Sequence, residues 1–370
     1  MIELQGKHKK ICIVTISLGK GGAERSCAML SQMLSEMGHE VHLALLNDSI
    51  SYPYSGNILN LGLLKKGKDT WAKRLKRFRI FRAFIKENEF DYIIDQRSKN
   101  QYFRELFYHK YLYYGVQTIY VTHSSNKEGY LTQYPKKFAK ICNRNFANVA
   151  VSKYIEEHVL KATGIQETTT IQNAYDPLWF ENGVDEPQVF QNMRYILSYG
   201  RIVDSIKDFT FLIHAFEASR IWEQNVSLVI MGDGPDKEKL TRLAQTSKAS
   251  TFIHFLPFHS SPFSIIKNAT FVTLTSRYEG FPMVLIESLS LGTPVVSLDI
   301  ISGPDEIIEP NSNGLLIKER SIPLFAAAME KMITDTDLYQ RCKRNAMPSV
   351  KRFSMAEIAK KWNDLLSHEE

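Results

Sequence analysis

Two glutamates stand eight residues apart in TSRYEGFPMVLIESLSLGTPVV (275–296): Glu279 and Glu287. A pair of carboxylates can act as an acid/base couple, but their settings differ. Glu279-Gly280-Phe281-Pro282 has the composition of a turn after a buried strand, with Pro282 placed to open a helix. The backbone N–H groups of that helix's first turn would then be free to meet a ligand's oxygens. Glu287 falls among Val284, Leu285, Ile286, Leu289 and Leu291, where a carboxylate is costly unless hydrogen-bonded. A sugar diol offers two neighbouring donors that match its two oxygens. Taken alone, Glu287 reads more readily as an ordinary carboxylate at a helix surface. The flanking EGFP and LGTPVV favour the binding role.

Cations and glycines at other strand ends extend the set. In SYGRIVDSIKDFTFLIHAF (198–216), Arg201 and Lys207 stand beside a strand end, where in isolation such a pair is merely solvated. Leu18-Gly19-Lys20-Gly21-Gly22-Ala23-Glu24 leads from a strand into a helix, where backbone N–H groups can approach an anion. No Gly-Lys-Ser/Thr follows, so the loop is not a P-loop. His123, in YVTHSSN, ends another strand. Gly232-x-Gly234 follows a strand too, but Lys237 stands where a third dinucleotide-binding glycine belongs, which leaves a structural turn. Asp335-x-Asp337 has metal-binding spacing, yet it directly precedes the helical LYQRCKRNA, where aspartate serves as a cap. No GxSxG elbow marks a hydrolase.

The elements that must carry these residues form two α/β series. Strands are expected at 9–17, 40–46, 91–95, 117–122 and 147–152, then at 194–200, 226–232, 251–256, 270–275 and 293–298. Helical stretches between strands imply parallel, doubly wound sheets. The polar ENGVDEPQVFQN (181–192) resembles a linker. The expected domains are 1–186, joined by a C-terminal helix at 352–370 after Ser354, and 187–351.

The 370 residues are 44% hydrophobic and 23% charged, as in soluble globular chains. No eighteen-residue apolar run or secretory leader is evident. Four scattered cysteines, Cys12, Cys27, Cys142 and Cys342, suggest reduced thiols of a cytosolic protein. Lys and Arg outnumber Asp and Glu 26 to 19 in residues 1–186, but number 20 against 21 in 187–370. Ten of the bases lie between Lys65 and Lys86. No nucleic-acid-binding signature accompanies them. Interleaved with Leu75, Phe78, Ile80, Phe81, Phe84 and Ile85, they make either a surface for anionic lipid or a helix whose apolar stripe faces its own core.

The 275–296 stretch resembles the E-x7-E signature of the family 4 retaining glycosyltransferases. The 198–216 and Gly21-Gly22 segments resemble that family's elements in the same order, so the likeness covers nearly the whole chain. It implies the GT-B fold: two doubly wound, Rossmann-like domains facing each other across a cleft, the first for the acceptor and the second for the nucleotide sugar. By this resemblance Glu279 and the backbone of Gly280-Phe281-Pro282 contact the donor sugar, while Glu287 holds the ribose. Arg201 and Lys207 bind the diphosphate, so no metal or other cofactor is expected. Gly21 and Gly22 face the donor phosphates, and His123 meets the transferred sugar. The family commonly has glycine after the lysine; Asp208 stands there instead. Asn173 lies in a segment like the family's NGxD turn, with Ala174 for the glycine and no chemistry assigned.

The implied activity is retaining transfer of a hexose or N-acetylhexosamine from a nucleoside diphosphate sugar, with UDP preferred. The acceptor would be a hydroxyl of a glycan or a polyprenyl- or other lipid-linked saccharide. The expected location is the cytoplasm, with peripheral contact to the inner leaflet through 65–86. Two alternatives are a non-catalytic nucleotide-sugar-binding subunit and an NAD-dependent oxidoreductase. The presence together of Glu279, Glu287, Arg201 and Lys207 disfavours the first. The missing glycine fingerprint disfavours the second.

Overall fold

Strand β1 (Lys10–Thr15, KICIVT) buries five of its six residues. Such runs, apolar on both faces, suit the interior of a parallel sheet covered by helices. The computed structural model describes residues 8–65, 67, 70–180 and 193–367. The linker expected at 181–192, Lys66, Lys68 and Asp69 of the basic stretch, and the end of the C-terminal helix lie outside the described residues.

Among the described residues the chain forms two sheets. The first joins β1 to β2 (Glu40–Leu45), β3 (Asn57–Asn60), β4 (Tyr92–Asp95), β5 (Gln117–Thr122), β6 (Ala147–Ala150) and β7 (Thr168–Thr170), in the order β3-β2-β1-β4-β5-β6-β7. The second contains β8 (Arg194–Tyr199), β9 (Val226–Met231), β10 (Ile253–Leu256), β11 (Val272–Leu274), β12 (Val295–Leu298) and β13 (Gly314–Ile317), in the order β10-β9-β8-β11-β12-β13. All pairings are parallel; Ile13, for example, is in register with Leu43 and Ile94. In both sheets the order reverses beside the first strand, so the carboxyl ends of the central strands open onto a crevice suited to ligands.

The chain separates into two compact units, Met1–Ala174 with Met355–Glu370, and Tyr175–Ser354. The helix Met355–Ser367 begins directly after Ser354 and returns to the first unit. There it buries Ile358, Trp362 and Leu366 near the helix Gly22–Glu36. Strands β3, β7 and β13 escape the sequence reading. NILN and TTT are short, half-buried edge strands without a full apolar run, and GLLI follows a turn.

The basic helix Trp71–Asn88 turns most of its apolar stripe inward. Phe81 and Ile85 are buried, and Phe78 packs on Phe107 with ring centroids 5.0 Å apart. Trp71, 84% exposed, and Leu75, 51% exposed, remain outside in the first turns.

Candidate functional site

In the second unit, two successive turns after β8 place the cations. Asp204 opens the one-turn helix Asp204–Lys207, its carboxylate accepting from the N–H and hydroxyl of Thr210 at 2.9 and 2.6 Å. Asp208 then takes the left-handed conformation, φ 52° and ψ 48°. That conformation explains the preference for glycine here; a side chain in it costs on the order of 1–2 kcal/mol. Asp208 offsets the cost by capping the helix Phe209–Ser219 through the N–H of Phe211 and by pairing with Arg320 and Arg277 at 2.7 and 3.0 Å. Asp208 is therefore a supported replacement rather than a defect.

Lys207, immediately before it, donates from Nζ to Glu279 Oε1 at 2.6 Å. The same oxygen accepts from Ser276 Oγ at 2.7 Å. Arg201 is exposed in the loop directly after β8. Behind these loops, a Cβ on Gly232 (φ +151°) would lie 1.9 Å from the carbonyl oxygen of Gly200, and one on Gly234 would lie 2.1 Å from that of Ile202. The two glycines permit a close backbone approach, which is a structural role.

Glu287 is 3% exposed on the helix Met283–Ser290. Its Oε2 accepts from the hydroxyl of Tyr199, the last residue of β8, at 2.7 Å. The two glutamates thus hold different partners, Lys207 and Ser276 on one and Tyr199 on the other. Pro282 proves to be the cap residue rather than the first helical residue, with φ −70° and ψ 105°. Phe281 is 3% exposed and packs edge-to-face on Phe353, so only its backbone can address a ligand. The loop is braced from behind: Ser302 Oγ donates to the carbonyl of Gly280 at 2.5 Å.

In the first unit, Gly21 caps the helix Gly22–Glu36 and donates its N–H to Tyr52 Oη at 3.2 Å. The Arg25 guanidinium lies 4.7 Å from the centre of that tyrosine ring. His123 follows β5, and its Nε2 is 2.7 Å from Gln96 Oε1 in the loop after β4. Burial, with a smaller contribution from Lys99, pushes its pKa down to about 3. The ring is neutral at neutral pH and cannot serve as a cation for phosphate.

The loop carrying Gln96 is anchored by a buried ionic group absent from the sequence reading. Arg97 bridges Asp95 at 2.6 Å and Glu105 at 2.9 Å, and Lys99 donates to the carbonyls of Asp95 and Arg97 at 3.0 and 2.7 Å. Removing one partner from such a group leaves an uncompensated buried charge, at a cost of about 3–5 kcal/mol. Asn173 Oδ1 accepts from Ser26 Oγ at 2.8 Å. Asp335 caps the helix Thr336–Val350 by accepting from the N–H of Leu338 at 3.0 Å. Among the described residues no cluster of three or more His, Cys, Asp or Glu could hold a metal ion.

Residues 20–177 match the family described as Glycosyltransferase Family 4, and residues 182–347 match Glycosyl transferases group 1. The chain belongs to the family 4 glycosyltransferases. A Campylobacter jejuni relative, named N-acetylgalactosamine-N,N'-diacetylbacillosaminyl-diphospho-undecaprenol 4-alpha-N-acetylgalactosaminyltransferase, is 27% identical over 95% of this chain and 98% of its own length. An uncharacterized glycosyltransferase of Methanocaldococcus jannaschii is 28% identical over 58% of this chain, which spans 60% of that relative's length. The crystal structure of Anabaena HepE in complex with UDP-glucose has a TM-score of 0.77 at 19% identity, covering 98% of this chain and all of that one. The architecture is the GT-B fold.

Proposed function

We propose that this glycosyltransferase moves a hexosyl or N-acetylhexosaminyl group from a UDP-sugar, with retention, to a hydroxyl of a glycan or lipid-linked saccharide. The observation that carries the reading is Lys207 on Glu279 beside the buried, tyrosine-held Glu287, all at the carboxyl edge of the second sheet. That edge is where a doubly wound sheet binds nucleotides. The UDP donor follows HepE, described with UDP-glucose, and the lipid-linked acceptor follows the name of the Campylobacter relative.

In the proposed reaction the acceptor oxygen attacks the anomeric carbon while the bond to the β-phosphate oxygen breaks. The departing phosphate takes the acceptor's proton from the same face. Arg201 and Lys207 meet the charge that grows on the diphosphate, a term worth several kcal/mol in a pre-organised site. Glu279 and the backbone of 280–282 orient the sugar, and Glu287 holds the ribose. Of the first unit's residues, Gly22 carries the N–H proposed for a phosphate oxygen, while that of Gly21 would first have to leave Tyr52 Oη; neutral His123 is proposed to hydrogen-bond the transferred sugar.

No described helix is long and apolar enough to cross a membrane. Peripheral contact with anionic lipid would rest on Trp71, Leu75 and the surrounding bases, since the rest of the stripe faces the core. Liposome sedimentation tests this: binding that ignores anionic lipid and salt overturns it. The donor reading is tested by measuring nucleoside diphosphate release from a panel of nucleotide sugars, with and without EDTA. Release from a UDP-sugar that persists in EDTA supports it. Dependence on added Mn²⁺ overturns the metal-free mechanism.

A further inference from the structure

We propose that Arg320 is a positioning residue for the donor site, locking the loop that carries Lys207 to the loop that carries Glu279. The inference rests on the donor-binding reading above, but the contacts that carry it are independent of any ligand.

Arg320 lies three residues beyond β13, and its guanidinium meets two loops at once. Nη1 donates to Asp208 Oδ2 at 2.7 Å and to the carbonyl of Thr275 at 2.9 Å; Nη2 donates to the carbonyl of Ser276 at 2.5 Å. Thr275 and Ser276 follow β11, outside the strand pairing, so their carbonyls need partners other than the ladder. The side chains of the same two residues complete the connection. Thr275 Oγ1 lies 3.0 and 3.2 Å from the carbonyls of Lys207 and Asp208, while Ser276 Oγ holds Glu279. One planar fork therefore joins the left-handed Asp208 to the strand end that leads into Glu279. A lysine could satisfy only part of this set, because its ammonium lacks the fixed fork.

Arg277 also reaches Asp208, but its side chain is 54% exposed against 30% for Arg320. Its N–H joins the same pair of loops through the carbonyl of Ile206 at 2.7 Å. The pairing with Arg320 also suits a carboxylate where glycine is usual: a charge beside the proposed diphosphate site would repel the ligand unless neutralised.

The test is the Lys207 ammonium resonance of ligand-free protein, assigned through Lys207→Arg, together with titration by UDP. Arg320→Met should broaden or abolish that resonance while the rest of the amide spectrum persists, and should weaken UDP binding about tenfold. Arg320→Lys should recover only part of both. In an Asp208→Gly background, Arg320→Met should cost less, because the carboxylate it neutralises is gone. An unchanged Lys207 resonance, or effects that simply add, overturns the proposal. If Arg320→Met unfolds, Arg320→Lys and Asp208→Asn carry the same comparison. If the wild type fails to bind UDP, the donor reading fails, while the ligand-free resonance still decides the role of Arg320.

Discussion

The hydroxyl of Tyr199 donates to Glu287 across 2.7 Å, linking the end of the central strand β8 to a carboxylate that is 3% exposed. A buried acceptor that loses its donor costs about 1–3 kcal/mol. Tyr199→Phe keeps the ring and removes the bond. It should lower the unfolding free energy by that amount, read from urea denaturation, and weaken UDP binding. Unaltered stability would show that Glu287 draws its stabilisation from other partners.

Lys207, one of the two proposed phosphate cations, is held in place by Glu279. Lys207→Met should reduce donor turnover by about 10²–10³-fold, the loss typical of removing one pre-organised charge stabiliser. Circular dichroism should be unchanged. A loss confined to KM would mean that Lys207 binds donor and transition state equally.

His123 yields a pH prediction with a definite sign. Its folded pKa, about 3, lies below the ordinary 6.5, so below pH 6.5 the unfolded chain binds more protons. Its contribution to stability is complete above pH 6.5 and is lost as pH falls toward 3, by at most about 1.4 kcal/mol per pH unit. His123→Gln should flatten the acid limb of stability between pH 6.5 and 4.5, measured by denaturant unfolding. An acid limb identical to wild type would contradict the burial assigned to this ring.

Gly303 has φ +104°, and a Cβ there would lie 2.4 Å from Pro282 Cδ. Gly303→Ala should displace the 280–282 loop and destabilise the chain by more than about 1 kcal/mol. Calorimetric unfolding measures this; a shift in Tm below one degree would argue that the loop yields freely.

Ten strands were legible because they carry largely apolar runs, as the half-buried edge strand Ile253–Leu256 also does; Asn57–Asn60 and Thr168–Thr170 lack that signal. The glutamates, Arg201 and Lys207 were proposed from the sequence because a short local segment carries each group. Their partners could not. Tyr199 lies 88 residues from Glu287, and Arg320 lies 112 from Asp208. Only the parallel sheet brings such positions together. The ion group of Asp95, Arg97, Lys99 and Glu105 was hidden for a different reason. DQRSK has the composition of an exposed loop, and its burial depends on surrounding tyrosines such as Tyr113, whose hydroxyl donates to Asp95 at 3.0 Å.

Isothermal titration of UDP into the wild type and Glu287→Ala, both in EDTA, bears most directly on the donor site. Saturable binding by the wild type that weakens at least about tenfold in Glu287→Ala is the expected result. Equal binding by the two proteins, or none by the wild type, would contradict a nucleotide-sugar site at the carboxyl edge of the second sheet.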